Sequence, residues 1–215
     1  MATLPERLRY LVIEGPIGVG KTSLARLFAA RCGVSLLLEA PDANPFLPGF
    51  YRNPARHALP TQLFFLFQRL EQVGSLAQGD MFRRATVADF LFDKDPLFAE
   101  LTLTEAELRL YRQIYDHVRP QAPVPDLVIY LQAPAEVLAG RVRRRAVAYE
   151  QGMDDGYLVR LADRYARFFH DYDAAPVLIV NSEHLNFVDQ PAAFDLLLER
   201  IGAMRGAREF FSLGE

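Results

Sequence analysis

The chain has 215 residues, 51% of them apolar and 24% charged, which suits one globular domain over 1–215 with a sizeable core. A formal net charge of −3 excludes broad binding to nucleic acid or an acidic membrane surface, since both require a basic face. The single cysteine, Cys32, excludes an internal disulfide.

The opening Met-Ala-Thr-Leu-Pro-Glu-Arg carries no apolar run, and no stretch approaches the ~20 apolar residues of a membrane helix. A cytoplasmic, reducing location is expected. His57, His117, His170 and His184 are scattered without ligand spacing, so the sequence offers no zinc site.

In chain order, Tyr10-Leu-Val-Ile13 reads as a short buried strand. It leads into Gly15-Pro16-Ile17-Gly18-Val19-Gly20-Lys21-Thr22, a complete phosphate-binding loop with the spacing Gly-x4-Gly-Lys-Thr. The chemistry dictates the residue types. Glycines let successive backbone N–H groups turn toward phosphate oxygens, Lys21 reaches the β/γ-phosphates, and the Thr22 hydroxyl takes a Mg²⁺ position. A helix is predicted from Thr22 to Arg31, with Leu24, Leu27, Phe28 and Cys32 on its apolar side and Gly33 as a stop. Cys32 therefore reads as a core residue, not a nucleophile.

The next strand, Leu36–Leu38, closes on Glu39 at the sheet edge where open α/β folds bind ligands. Glu39 is a candidate to orient and deprotonate an acceptor hydroxyl; the bland alternative is a turn residue. Ala40–Leu59 is long for a connection, and such segments tend to be functional. A helix is predicted over Pro60–Gln78, where Phe64, Phe65 and Phe67 serve a pocket or the core.

Thr86–Phe92 reads as the third strand, and Asp89 within it is a candidate to hold Mg²⁺ directly or through water. Helix Glu105–Val118 opens on a capping box, Thr104 with Glu107. After the stiff link Pro120–Pro125 come strand Leu127–Leu131, helix Pro134–Ala146, helix Asp155–Tyr172, strand Val177–Val180 and helix Pro191–Met204. The alternation predicts an α/β fold: a five-stranded parallel sheet between helical layers, of the P-loop kinase type.

The P-loop alone leaves open GTPases, motors, ATPases and small-molecule kinases. No Asn-Lys-x-Asp guanine-reading motif is present, and Arg141-Val-Arg143-Arg144-Arg145 lies on the helix after the fourth strand. At helical spacing Arg141, Arg144 and Arg145 share a face, suited to stabilising charge on a transferred phosphoryl group. For an arginine run in isolation a solvated basic face is the commoner reading; the triphosphate site favours the functional one.

These residues together resemble the deoxynucleoside kinase family, and the resemblance covers nearly the whole chain. It rests on the P-loop, on Glu39-Ala-Pro, on Asn44-Pro-Phe-Leu-Pro-Gly-Phe-Tyr51 with Gln62 and Arg69, on Arg141…Arg145…Glu150-Gln-Gly152 followed by Tyr157-Leu158, and on Val180-Asn-Ser-Glu-His-Leu-Asn-Phe-Val-Asp189. The run is most similar to bacterial deoxyadenosine and deoxyguanosine kinases.

The resemblance implies transfer of the γ-phosphate of ATP, with Mg²⁺, to the 5′-hydroxyl of a purine deoxyribonucleoside. By position it implies Glu39 as the acceptor carboxylate and Arg141 and Arg145 as lid arginines. It also implies Tyr51 and Glu150 at the sugar 3′-hydroxyl, Gln62 at the base and Arg69 beside it. An aromatic face against the base is implied too, with Phe46 and Phe92 as candidates, and so is a homodimer built through helices beside the sheet, for which the apolar helix Leu63–Leu76 is a candidate. A carboxamide suits Gln62's role because it offers one donor and one acceptor to a base edge.

Two positions depart from the family pattern. Asp89-Phe-Leu stands where relatives carry an acidic residue followed by Arg-Ser, leaving Lys94 as a candidate for the missing charge, and Val147 replaces a third lid arginine, for which Arg143 or Arg144 is the candidate substitute. Two other readings stay open: a kinase for another small metabolite such as a nucleoside monophosphate, with Arg52, Arg56 or Arg69 as a phosphate clamp, and a nucleotide-binding regulator without transfer.

Overall fold

The computed structural model describes residues 3–77, 84–147, 150, 153, 155–185, 187 and 190–212. Gln78, Gln151, Gly152, Asn186, Val188 and Asp189, named above, lie outside them.

The strands are β1 (Tyr10–Glu14), β2 (Ser35–Leu37), β3 (Thr86–Ala88), β4 (Leu127–Gln132), β5 (Val177–Asn181) and β6 (Arg208–Phe211). They form one parallel sheet in the order β2-β3-β1-β4-β5-β6. Its central strands are apolar on both faces because both are covered, as expected of a parallel sheet. Tyr10 and Val12 of β1, Val128 and Tyr130 of β4, and Val177 and Ile179 of β5 enter one core; Leu11, Ile13, Leu127, Ile129, Leu178 and Val180 enter the other.

The first core is closed by α3 (Pro54–Ala77), α4 (Asp95–Thr102), α5 (Glu105–Val118) and α7 (Asp155–Asp171), the second by α1 (Lys21–Cys32), α6 (Ala135–Arg145) and α8 (Pro191–Ala203). The three-layer α/β/α expectation is met, with six strands in place of five. The missed strand, β6, pairs in register from Val177↔Arg208 to Val180↔Phe211 at the sheet edge. Its outer half is solvated, Phe210 being 67% exposed, so it lacks the apolar run that marks a buried strand.

Three further differences have local causes. The third strand stops at Ala88 rather than running to Phe92, because Leu91 N–H turns inward to donate to Glu14. The expected long loop contains α2 (Leu47–Arg52), and α3 begins at Pro54, carrying Pro60 inside it. Elsewhere the signals hold: Gly33, at φ 66°, ends α1 with its N–H on Ala29 O, and Thr104 with Glu107 forms the capping box of α5.

Candidate active site

The loop between β1 and α1 meets the C-terminal ends of β2 and β3 in a cleft that opens to solvent. Gly18 has φ +84°, and a Cβ there would stand 2.9 Å from Leu138 O and from Val142 Cγ2, so only glycine fits. Lys21 Nζ donates to Gly15 O at 2.7 Å and Pro16 O at 3.2 Å. Burial pushes the Lys21 ammonium pKa down, with the Glu14 carboxylate opposing it most strongly.

Thr22 Oγ1 donates to Asp89 Oδ2 at 2.5 Å, while Asp89 Oδ1 accepts the Glu39 N–H at 2.7 Å. Burial raises the Asp89 pKa. Two hard oxygen donors thus converge beside the phosphate loop, a set that fits Mg²⁺, which keeps several waters and takes only one or two protein ligands beside substrate phosphates. Among the described residues there is no cluster of three or more His, Cys, Asp or Glu to hold a metal alone.

Glu39 is clamped through its neighbours: Gln72 Nε2 donates to Leu38 O at 2.8 Å and Gln68 Nε2 to Ala40 O at 3.2 Å, both from α3. Its carboxylate lies 2.7 Å from Arg69 Nε and 2.5 Å from Nη2, with Lys94 Nζ at 3.5 Å. Burial opposes its ionisation most strongly of any single effect, yet Arg69, Lys94 and Lys21 together hold its pKa down at about 2. Glu39 is therefore ionised throughout the physiological range and a weak base. That suits orienting a hydroxyl for phosphoryl transfer, where positioning outweighs full deprotonation.

Gln62 and Arg69, two turns apart on α3, rise into the same cleft. Gln62 is 4% exposed, with Nε2 3.4 Å from Thr102 Oγ1 and no protein partner on Oε1. Arg69 also pairs with Asp95 and lies 4.9 Å from the Phe65 ring centroid. Asn44 accepts Phe46 N–H at 3.0 Å and donates to Thr61 O at 3.1 Å, fixing the turn that delivers Tyr51 to the wall. Glu150 and Arg145 line the opposite wall.

The structure brings Lys21, Thr22, Glu39, Tyr51, Gln62, Arg69, Asp89, Arg145 and Glu150 together; Arg141 stands apart. Its guanidinium donates to Ser182 O at 2.7 Å and Glu183 O at 3.2 Å, with Val19 O at 3.4 Å, and it lines a second cavity on the outer side of the P-loop with Arg144, Ser23 and His184. Arg144 therefore does not stand in for the arginine absent at Val147. Phe92 is packed on Tyr115 in the core and Phe46 on Phe64, so neither suggested ring faces the cleft; Phe50, Phe65 and Phe98 do. Arg52 and Arg56 are exposed and off the cleft, so neither supplies a monophosphate clamp.

Sequence reasoning missed Glu14, which is fully buried at the end of β1. Its Oε1 accepts Gly15 N–H at 2.7 Å and Tyr165 O–H at 2.9 Å, and its Oε2 accepts Leu91 N–H at 2.7 Å. An acidic residue before the first P-loop glycine is its only trace in the sequence.

The sequence profile of the deoxynucleoside kinase family matches residues 11–204. The chain belongs to that family. It is accordingly an ATP-dependent kinase of deoxynucleosides. It is 30% identical over 199 residues to a deoxyguanosine kinase of Bacillus subtilis, covering 90% of this chain and 94% of that one. It is 27% identical over 208 residues to a deoxyadenosine kinase of Lactobacillus acidophilus, covering 90% and 95%. A solved structure of deoxyadenosine kinase from M. mycoides with bound dCTP shares the fold, with TM-score 0.77 and 20% identity over 91% of this chain and 100% of that one.

Proposed function

We propose that this kinase transfers the γ-phosphoryl group of ATP to the 5′-hydroxyl of a purine deoxyribonucleoside. The observation that carries the reading is Glu39, an ionised carboxylate that lines one cleft with Lys21 and Thr22 of the phosphate loop and with Gln62. The names of the B. subtilis and L. acidophilus relatives favour a purine base. Gln62 lines the same cleft with no protein partner on Oε1, which leaves that acceptor for a base edge.

In this reading the P-loop amides and Lys21 hold the triphosphate, and Glu39 aligns the 5′-hydroxyl for in-line attack. Tyr51 and Glu150 hold the sugar, and Arg145 meets the charge that develops on the transferred group. Mg²⁺, held by Thr22 and Asp89, would offset phosphate charge. Arg141 is assigned to the outer cavity, where the nucleoside half of ATP has room beside Gly20 and Ser23.

The decisive experiment is Glu39→Gln assayed with deoxyguanosine and deoxyadenosine. Turnover should fall by orders of magnitude while ATP binding is nearly intact; unchanged turnover removes Glu39 from its role.

Assembly as a homodimer is part of the proposal. Much of the Leu63–Leu76 face is core, with Leu66 and Val73 buried, but Phe67 on α3 and Leu110 on α5 remain 51% and 47% exposed on adjoining helices. Sedimentation of the protein and of Phe67→Glu tests that face. A cytoplasmic location completes the reading; no helix among the described residues is long and apolar enough to cross a membrane.

A further inference from the structure

Lys94 occupies a short 3₁₀ turn, Phe92–Lys94, between β3 and α4, yet its side chain is only 2% exposed. A buried ammonium persists only when paired. Its Nζ lies 3.2 Å from Glu14 Oε2 and 3.5 Å from Glu39 Oε1, with the Phe98 ring centroid at 5.9 Å.

The two carboxylates differ in kind. Glu14 is fully buried and held by three donors besides Lys94: the N–H groups of Gly15 and Leu91 and the Tyr165 hydroxyl. Glu39 borders the cleft at 19% side-chain exposure. Lys94 thus ties an anchored carboxylate to a working one. We infer that Lys94 is a positioning residue that holds Glu39 in register with the P-loop, with Glu14 as its anchor; this rests on the reading of Glu39 as the group that aligns the acceptor hydroxyl.

The other cation on Glu39 performs a different task. Arg69 is shared with Asp95 and packed on Phe65, so it links Glu39 to the base side of the cleft. Lys94 works from the other side. Glu14 directly precedes Gly15, whose carbonyl receives Lys21, so the contacts Gly15–Glu14–Lys94–Glu39 measure Glu39 from the phosphate cradle itself. Reactive alignment is sensitive to displacements on the order of 1 Å, and a second, base-independent tie provides that alignment. The charged groups facing Glu39 are Arg69 from α3, Lys94 from the turn, Lys21 from α1, and Asp89, which accepts its N–H.

The test is steady-state phosphorylation of deoxyguanosine and deoxyadenosine with MgATP by the parent, Lys94→Met, Lys94→Arg, Glu39→Gln and the Lys94→Met/Glu39→Gln double variant. Lys94→Met should lower kcat about 10²-fold with deoxynucleoside KM within about threefold. Lys94→Arg should recover about tenfold of the loss, and the double variant should lose no more than Glu39→Gln alone.

Losses that multiply in the double variant, an effect confined to KM, or an unchanged kcat would each overturn the inference while leaving the functional reading intact. If Lys94→Met does not fold, Lys94→Arg carries the same cycle with Glu39→Gln under the same criteria. A parent that phosphorylates neither deoxynucleoside would overturn the functional reading, and the inference with it.

Discussion

Arg145 Nη2 lies 2.5 Å and 2.6 Å from the two carboxylate oxygens of Glu150, so a half-exposed arginine is gripped end-on by a carboxylate that is only 8% exposed. The proposed phosphate ligand and the proposed sugar ligand therefore satisfy each other before substrates arrive. A 3′-hydroxyl that engages Glu150 competes for this contact.

Glu150→Gln should raise the deoxynucleoside KM roughly tenfold, the cost of about one charge-assisted hydrogen bond, and narrow the preference for substrates with a 3′-hydroxyl over 3′-deoxy analogues. Arg145→Gln should act mainly on kcat. Parallel kcat and KM measurements on the two variants check both, and an effect of Arg145→Gln on KM alone would remove it from the transition state.

Asp89→Asn keeps the shape of the side chain and removes its charge next to Thr22. The half-saturating Mg²⁺ concentration at fixed ATP should rise about tenfold, with the deoxynucleoside KM little changed. A Mg²⁺ titration of activity decides it, and an unchanged midpoint would assign Asp89 to fixing Glu39 N–H alone.

The acid side follows from Glu39. Its folded pKa, about 2, lies below the ordinary 4.5, so its ion pairs contribute stability above about pH 4.5 that is lost as pH falls toward 2. The linked stabilisation is on the order of 3 kcal/mol. Urea unfolding between pH 7 and 2.5 should show a shallower acid loss for Glu39→Gln than for the parent.

Burial drives the alkaline side. It raises the pKa of Tyr10, Tyr111, Tyr115, Tyr130, Tyr157, Tyr165 and Tyr172 above the ordinary 10. Groups whose folded pKa is raised stabilise the protein below the unfolded pKa, here about pH 10, and that contribution drains away as pH climbs further. Tyrosinate absorbance should therefore rise together with loss of ellipticity in one cooperative step above pH 10. Absorbance rising well before unfolding would show these hydroxyls to be accessible.

What could be read from sequence was set by how local each cause is. Gly15 to Thr22 were legible because a phosphate cradle fixes residue types over eight consecutive positions. The inner strands were legible because burial on both faces leaves an unbroken apolar run. β6 was not, since Arg208 and Phe210 face solvent at an edge.

Helical spacing placed Arg141, Arg144 and Arg145 on one face, yet Arg144 and Arg145 diverge by about 100°. Arg145 closes α6 just before Ala146 at φ 54° and reaches over the helix end to Glu150, while Arg141 and Arg144 turn to the other cavity. Glu14 and Lys94 lie 80 positions apart in sequence, and nothing local announces that they meet.

The close approach of Gly18 to α6 has a mechanical consequence. With no Cβ at Gly18 to act as a cushion, the loop rests directly on the backbone at Leu138 and the side chain of Val142, one turn from Arg145 on the same helix. Cradle and arginine helix are seated on each other without a spacer, so any displacement of one bears directly on the other. A methyl group at position 18 would be a shim in that seat, setting the arginine back even in a protein that folds and binds ATP.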